Sequence, residues 1–133
     1  MLTGDALPSL LTAIPGPKSC AWIDRLAEHE CPAITARRAR RASLLGQASA
    51  DPIVWQSARG ANIVDVDGNV LVDLTSGFGV AGIGHGHPDV VAAAQQQAGT
   101  LLHAMGDAFP DPRRIELLER LTELTGFERA ILG

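Results

Sequence analysis

Two short runs of alternating apolar and polar residues flank Asp67-Gly68-Asn69. Val64 and Val66 alternate with Asp65 and Asp67; beyond the turn residues, Val70, Val72 and Leu74 alternate with Leu71 and Asp73. A period of two sends successive side chains to opposite faces of an extended chain, and Asp-Gly-Asn suits a tight reversal. The spacing predicts a β-hairpin over Gly60–Leu74. Val64, Val66, Val70, Val72 and Leu74 then share one face, which needs a covering layer.

Helical patterns surround the hairpin. Pro8, Pro15, Gly16 and Pro17 prevent a continuous helix over residues 1–18, which read as a loose arm. From Ser19 to about Glu30, Trp22, Ile23, Leu26 and Ala27 fall on one stripe, and Pro32 ends the run. A basic, Ala-rich helix is expected from Thr35 to Leu45, closing near Gly46. Pro88 suits the first turn of a third helix, with Asp89 beside the positive end of its dipole, running to about Met105 and stopped by Gly106. Pro110 and Pro112 open a fourth, with Ile115, Leu117, Leu118, Leu121 and Leu124 apolar and Gly126 as its cap. Residues 128–133 read as a buried strand cut short.

Size and charge exclude several function classes. A chain of 133 residues fits one domain, and 46% apolar residues rule against intrinsic disorder. A net charge of −4 and only 4% aromatics argue against a nucleic-acid partner. The charge is uneven: residues 1–60 hold seven basic and five acidic side chains, residues 61–133 four basic and ten acidic. Cys20 and Cys31 make neither a disulfide framework nor a zinc motif, so a reduced, cytoplasmic setting is expected. No run is long enough to span a membrane, and the first residues lack the basic region of a signal peptide.

Candidate chemical motifs each have a plainer explanation. Gly77-Phe78-Gly79-Val80-Ala81-Gly82 matches a dinucleotide fingerprint, yet Ile83-Gly84-His85-Gly86-His87 intervenes before any helix starts. His85 and His87 lack a third metal ligand at useful spacing, so no metal is expected. Asp65 to Asn69 resembles a calcium loop, but its glycine comes too early and the bidentate Glu is missing. Arg37, Arg38, Arg40 and Arg41 read as a solvated helix face. There is no G-x-S-x-G elbow, and Lys18, the one lysine, sits in a breaker-rich arm, so no catalytic residue is assigned.

Taken in order, Gly60, Asp65, Asp67-Gly68-Asn69, Asp73, Gly77, Val80 and Gly84-His85-Gly86-His87-Pro88 resemble the N-terminal region of class III aminotransferases. These are pyridoxal-phosphate enzymes of fold type I. Gln95-Gln96-Gln97, Leu101-Leu102-His103, the helix Arg114 to Leu124 and the segment Arg129 to Leu132 keep the family order, from about residue 50 to 133.

The resemblance implies a mixed α and β fold: N-terminal helices, a β-hairpin and the first helices of a fold type I transferase, ending at the first large-domain strand. Residues 1–50 would be an arm with helices, and 51–133 a small-domain segment leading into the large domain. The implied activity is amino-group transfer between an amine or amino acid and a 2-oxo acid. An aminomutase or racemase of the same fold, or a non-enzymatic partner-binding module, is the alternative. Phe78 matches a substrate-facing side chain and Asp107 falls near another, its charge favouring a cationic substrate end. The phosphate loop, the aspartate that pairs with the pyridine nitrogen and the catalytic lysine all belong to segments beyond this sequence. This chain alone is therefore expected to be inactive, with no cofactor-binding residue of its own. A homodimer is implied for the complete enzyme.

Overall fold

The computed structural model describes residues 3–44, 46 and 52–132. The chain divides into two compact units, Met1–Val90 and Val91–Gly133. In the first, helices α1 (Pro17–His29) and α2 (Pro32–Leu44) precede an antiparallel sheet of β1 (Trp55–Arg59), β2 (Asn62–Asp65) and β3 (Val70–Val72), in that spatial order. Helix α3 (Pro88–Thr100) starts at the end of this unit, and α4 (Pro112–Thr125) lies in the second.

The hairpin forms where the alternation places it. Val64 pairs with Val70 and Asn62 with Val72. The reversal closes through Gly68 N–H donating to Asp65 O and Asp65 N–H to Asn69 O, both 3.1 Å. Gly68 sits at φ +90°, which an L side chain rarely adopts. Strand β1 was not legible, because Trp55-Gln56-Ser57-Ala58-Arg59 has no clean alternation. It exists because β2 offers a free edge, and a bulge between Trp55 and Ser57 accommodates its register.

The loose arm is a misreading, corrected by the polar side chains of the hairpin. Asn62, Asp65 and Asn69 are almost fully buried, and Asp67 nearly so. They bury because the arm lies over them. Asn62 Oδ1 accepts from Ala6 N–H at 2.7 Å, and its Nδ2 donates to Ala6 O at 2.9 Å. Asn69 Oδ1 accepts from Leu11 N–H and Thr12 N–H at 2.7 and 3.0 Å. Asp65 in turn holds Asn69, accepting from its Nδ2 at 2.7 Å and from its backbone N–H at 2.8 Å. An irregular segment must find partners for its peptide groups, and these amides supply them. Ser9 also bridges Val70 across the outer edge of β3. What the arm covers is thus the hairpin's polar side chains, including Asn62 on the same face as its partner Val72, while Val72 and Leu74 stay exposed.

Asp67 has a separate task. The residue before α1 is Gly16, which offers no side-chain cap. Asp67 caps the helix from 48 positions away, taking Ser19 N–H at 2.8 Å and Ser19 Oγ–H at 2.7 Å, with Lys18 N–H at 2.7 Å. Pro32 ends α1 and also opens α2, where the fixed φ of proline suits a first turn. Arg38 of α2 donates to Glu30 at 2.9 Å, so one member of the basic cluster ties the two helices' junction.

In the second unit α4 has the expected boundaries. Asp111 caps Arg114 N–H at 3.1 Å, and Gly126 ends the helix at φ +73°. Helix α3 ends at Thr100, short of the expected Met105. Gly99 weakens its last turn, and Gln97 Nε2 donates to Leu101 O at 2.9 Å, closing the end before Gly106 is reached. Glu128 to Leu132 makes no strand pairing among the described residues. A strand exists only through a ladder with a neighbour.

Candidate functional site

The glycine-rich passage forms a closed loop. Asp73 N–H donates to Ala61 O at 2.8 Å at its start. At its end, His85 and Gly60 exchange two backbone hydrogen bonds, both 2.8 Å. Asp73 and His85 also meet directly, Oδ2 to Nε2 at 2.8 Å. An ionised carboxylate only accepts, so this ring nitrogen carries the proton. The Asp73 side chain is 3% exposed. Its Oδ1 accepts from Thr75 N–H at 2.9 Å and Thr75 Oγ–H at 2.8 Å, and its Oδ2 from Gly77 N–H at 2.7 Å. Trp55 sets its ring edge-on to His85, with centroids 6.0 Å apart. A cavity of about 140 Å³ lies against Asp73, Ser76, Ala81 and His85.

The backbone of this loop is strained at two non-glycine positions, Ser76 at φ +51° and Phe78 at φ +61°. Such conformations cost on the order of 1–3 kcal/mol each and persist only where the surroundings impose them. Here the carboxylate of Asp73 imposes them, together with Gly79 N–H to Thr75 O at 2.9 Å and Ala81 N–H to Ser76 O at 2.8 Å. The product is an aromatic ring held 88% exposed at Phe78.

Three carboxylates of this unit are shifted, among them Glu30, which the Arg38 hydrogen bond holds below its ordinary value. The imidazole of His85, then the Thr75 hydroxyl, holds Asp73 far below the usual carboxylate range, against the opposing effect of burial. Burial pushes Asp67 up, but the Ser19 hydroxyl and the amides of Lys18 and Ser19 outweigh it and leave its pKa lowered. A carboxylate whose pKa is depressed on folding stabilises the fold above its unfolded value, and that contribution is lost as the pH falls toward its folded one. Thermal unfolding followed by circular dichroism from pH 7 to pH 2 should show a flat midpoint down to about pH 4 and a steep fall below it. Asp67→Asn should make that fall shallower.

The residues singled out from sequence meet different fates. Phe78 lies in the first unit, on the loop just described. Asp107 lies in the second, 97% exposed, with Arg114 Nη2 at 3.4 Å. Beside it, Leu102, His103, Met105, Arg114 and Leu132 line an open groove. His85 is engaged by Asp73, whereas His87 Nδ1 is buried with no hydrogen-bond partner among the described residues. The glycine fingerprint does not open a helix: α3 begins only at Pro88. Asp73 and His85 were missed as a pair, since their 12-residue separation is set by a loop that no periodicity describes. The Asp-x-Thr spacing of a side-chain-capped turn at Asp73 and Thr75 was the only signal.

Comparison with known proteins decides the family. The aminotransferase class-III profile matches residues 45–132. The chain belongs to the class III aminotransferases. It is 39% identical over 79 residues to an acetylornithine aminotransferase of Methanocaldococcus jannaschii, covering 59% of this chain and 20% of that relative. It is also 39% identical over 82 residues to a [LysW]-aminoadipate semialdehyde transaminase of Deinococcus radiodurans, covering 60% and 19%. An ornithine aminotransferase structure from Toxoplasma gondii superposes on 84% of this chain and 23% of its own, with a TM-score of 0.62; at 24% identity this likeness shows the fold alone. An acetylornithine aminotransferase from Elizabethkingia anophelis covers 71% of this chain and 24% of its own, with a TM-score of 0.53 and 26% identity. The chain thus spans about a fifth of the length of the curated relatives it matches. Its helices and antiparallel sheet are the N-terminal part of a fold type I aminotransferase.

Class III aminotransferases depend on pyridoxal 5′-phosphate, and the residues present here do not fit that group. Lys18 is exposed, not set in a buried pocket. The N-terminus of α1 is filled by Asp67 and that of α4 by Asp111, while α3 opens with Asp89, which repels a phosphate. Amides of the glycine loop at Gly77, Gly79, Ala81 and Gly84 are spent on partners within it. Among the described residues no helix is long and apolar enough to cross a membrane, and no group of three ligating side chains suits a metal.

Proposed function

We propose that this chain is the N-terminal part of a pyridoxal-phosphate-dependent aminotransferase that transfers an amino group between an amine or amino acid and a 2-oxo acid. The match over residues 45–132 carries this reading. The names of the relatives favour a donor of the N-acetylornithine kind. Residues 51–133 form the small-domain segment, with Phe78 and Asp107 facing substrate, and residues 1–50 form the N-terminal arm. The complete enzyme is a cytoplasmic homodimer whose cofactor-binding residues lie outside this segment. The segment alone is inactive.

The test is an assay of the complete polypeptide with pyridoxal phosphate, ornithine or N-acetylornithine, and a 2-oxo acid. The expected result is amino transfer that requires the 2-oxo acid and is absent with residues 1–133 alone. Racemisation or amino-group migration without consumption of the 2-oxo acid would place the protein among the other enzymes of this fold. Unchanged donor preference in Asp107→Ala would remove Asp107 from the substrate site.

A further inference from the structure

Among the described residues, Asp73 is the one side chain seen to hold both ends of the loop from Leu74 to Gly84. Its carboxylate fixes the opening turn through Thr75 and Gly77, and fixes the closing residue through His85. His85 is braced from its other sides by Gly60 and by the Trp55 ring. Between these ends sits Phe78, on strained backbone and exposed to solvent. An exposed aromatic gains nothing in this unit from being held so, which suggests that the clamp serves what the ring touches.

We propose that Asp73 and His85 are positioning residues that set donor selectivity by clamping the loop that presents Phe78. This rests on the reading that Phe78 faces substrate. The clamp touches neither substrate nor cofactor. It acts by restricting the backbone at residues 75–78, so that the ring occupies one place in the pocket and not several. Without it, residues 76 and 78 relax from their left-handed conformations, and the ring no longer sorts donors by shape.

The test uses the complete enzyme with Asp73→Asn, His85→Gln, His85→Ala, Phe78→Ala and the double variant of Asp73→Asn with Phe78→Ala. Asp73→Asn keeps the shape of the side chain but loses its charge. It should raise donor KM roughly tenfold while kcat stays within about twofold, and should narrow the difference between good and poor donors. Phe78→Ala should do the same, and the double variant should be no worse than Phe78→Ala alone, since both act through one ring. His85→Gln, whose amide can still donate to Asp73, should retain more selectivity than His85→Ala. Amide exchange read by mass spectrometry should quicken in residues 75–84 of Asp73→Asn by about tenfold or more, with residues 62–72 unchanged. Unchanged donor KM, effects additive with Phe78→Ala, or unchanged exchange in the loop would each overturn the proposal. Absence of transamination in the wild type would instead overturn the functional reading and the selectivity role with it, and the exchange result would still decide whether the clamp exists.

Discussion

Gly60→Ala is expected to lower the thermal unfolding midpoint by about 15 °C or more, a loss on the order of 3 kcal/mol. Gly60 lies at φ +54°, so any side chain there is strained before it meets a neighbour. A Cβ at this position would stand 2.5 Å from Gly4 O, 2.9 Å from Gly4 Cα and 3.0 Å from Gly4 C. These are backbone atoms and cannot rotate away as a side chain would. They are also held: Gly4 O accepts from Ala61 N–H at 2.9 Å, and Gly60 itself makes the paired bonds to His85. Gly84 packs on the other side, where its own Cβ would meet Gly60 Cα at 3.2 Å. Arm, sheet and loop thus cross at three glycines, and one methyl group at the centre forces all three apart. The comparison is Gly82→Ala, whose Cβ would meet only Gly79 O at 4.0 Å at ordinary φ. It should change stability by less than about 0.5 kcal/mol.

The second large effect is expected at Gly16. Its backbone is extended, with φ −82°, so alanine is not strained there. The space is nevertheless taken: a Cβ would lie 2.3 Å from Asp67 Cγ and 2.6 Å from Thr12 Oγ1. Asp67 cannot yield without releasing Lys18 N–H, Ser19 N–H and the buried Ser19 hydroxyl. Overpacking of this kind costs about 1–3 kcal/mol, and loss of a helix cap adds to it. Gly16→Ala should therefore lower the denaturant midpoint by about 2–3 kcal/mol equivalent, with α1 exchanging its amides faster than the hairpin. In contrast, Gly99→Ala, in the helix α3 with nothing within 4 Å, should stabilise by about 0.5–1 kcal/mol.

These two glycines mark the boundary of what the sequence made legible. The hairpin turn, the proline-opened starts of α3 and α4 and the cap at Gly126 are local features, each decided by a few neighbouring residues, and they stand where the pattern put them, whereas α1 and α2 begin earlier than expected, at Pro17 and Pro32. The arm is not local. Its order comes from Asn62, Asp67 and Asn69, 48 to 58 positions away, so its prolines read as looseness although the amides of Ala6, Leu11, Thr12 and Lys18 are held by those side chains. The same distance hid β1, whose only reason to be a strand is the edge of β2. Alternation correctly gave two faces to the hairpin. It did not show that Asn62, Asp65 and Asn69 would be buried, because nothing in a period of two reveals an arm that satisfies buried carboxamides. The terminal segment failed in the opposite sense: Ala130, Ile131 and Leu132 suit a strand, but pairing needs a neighbouring strand. At the site, Phe78 came from family likeness, whereas the Asp73–His85 clamp emerged only from coordinates.

The division of labour proposed for the complete enzyme is open to one direct measurement. The complete polypeptide is incubated with pyridoxal phosphate, reduced with borohydride and mapped by peptide mass spectrometry. The expected result is one stoichiometric adduct on a lysine outside residues 1–133, with Lys18 unmodified. A stoichiometric adduct on Lys18, or none on any lysine, would contradict it.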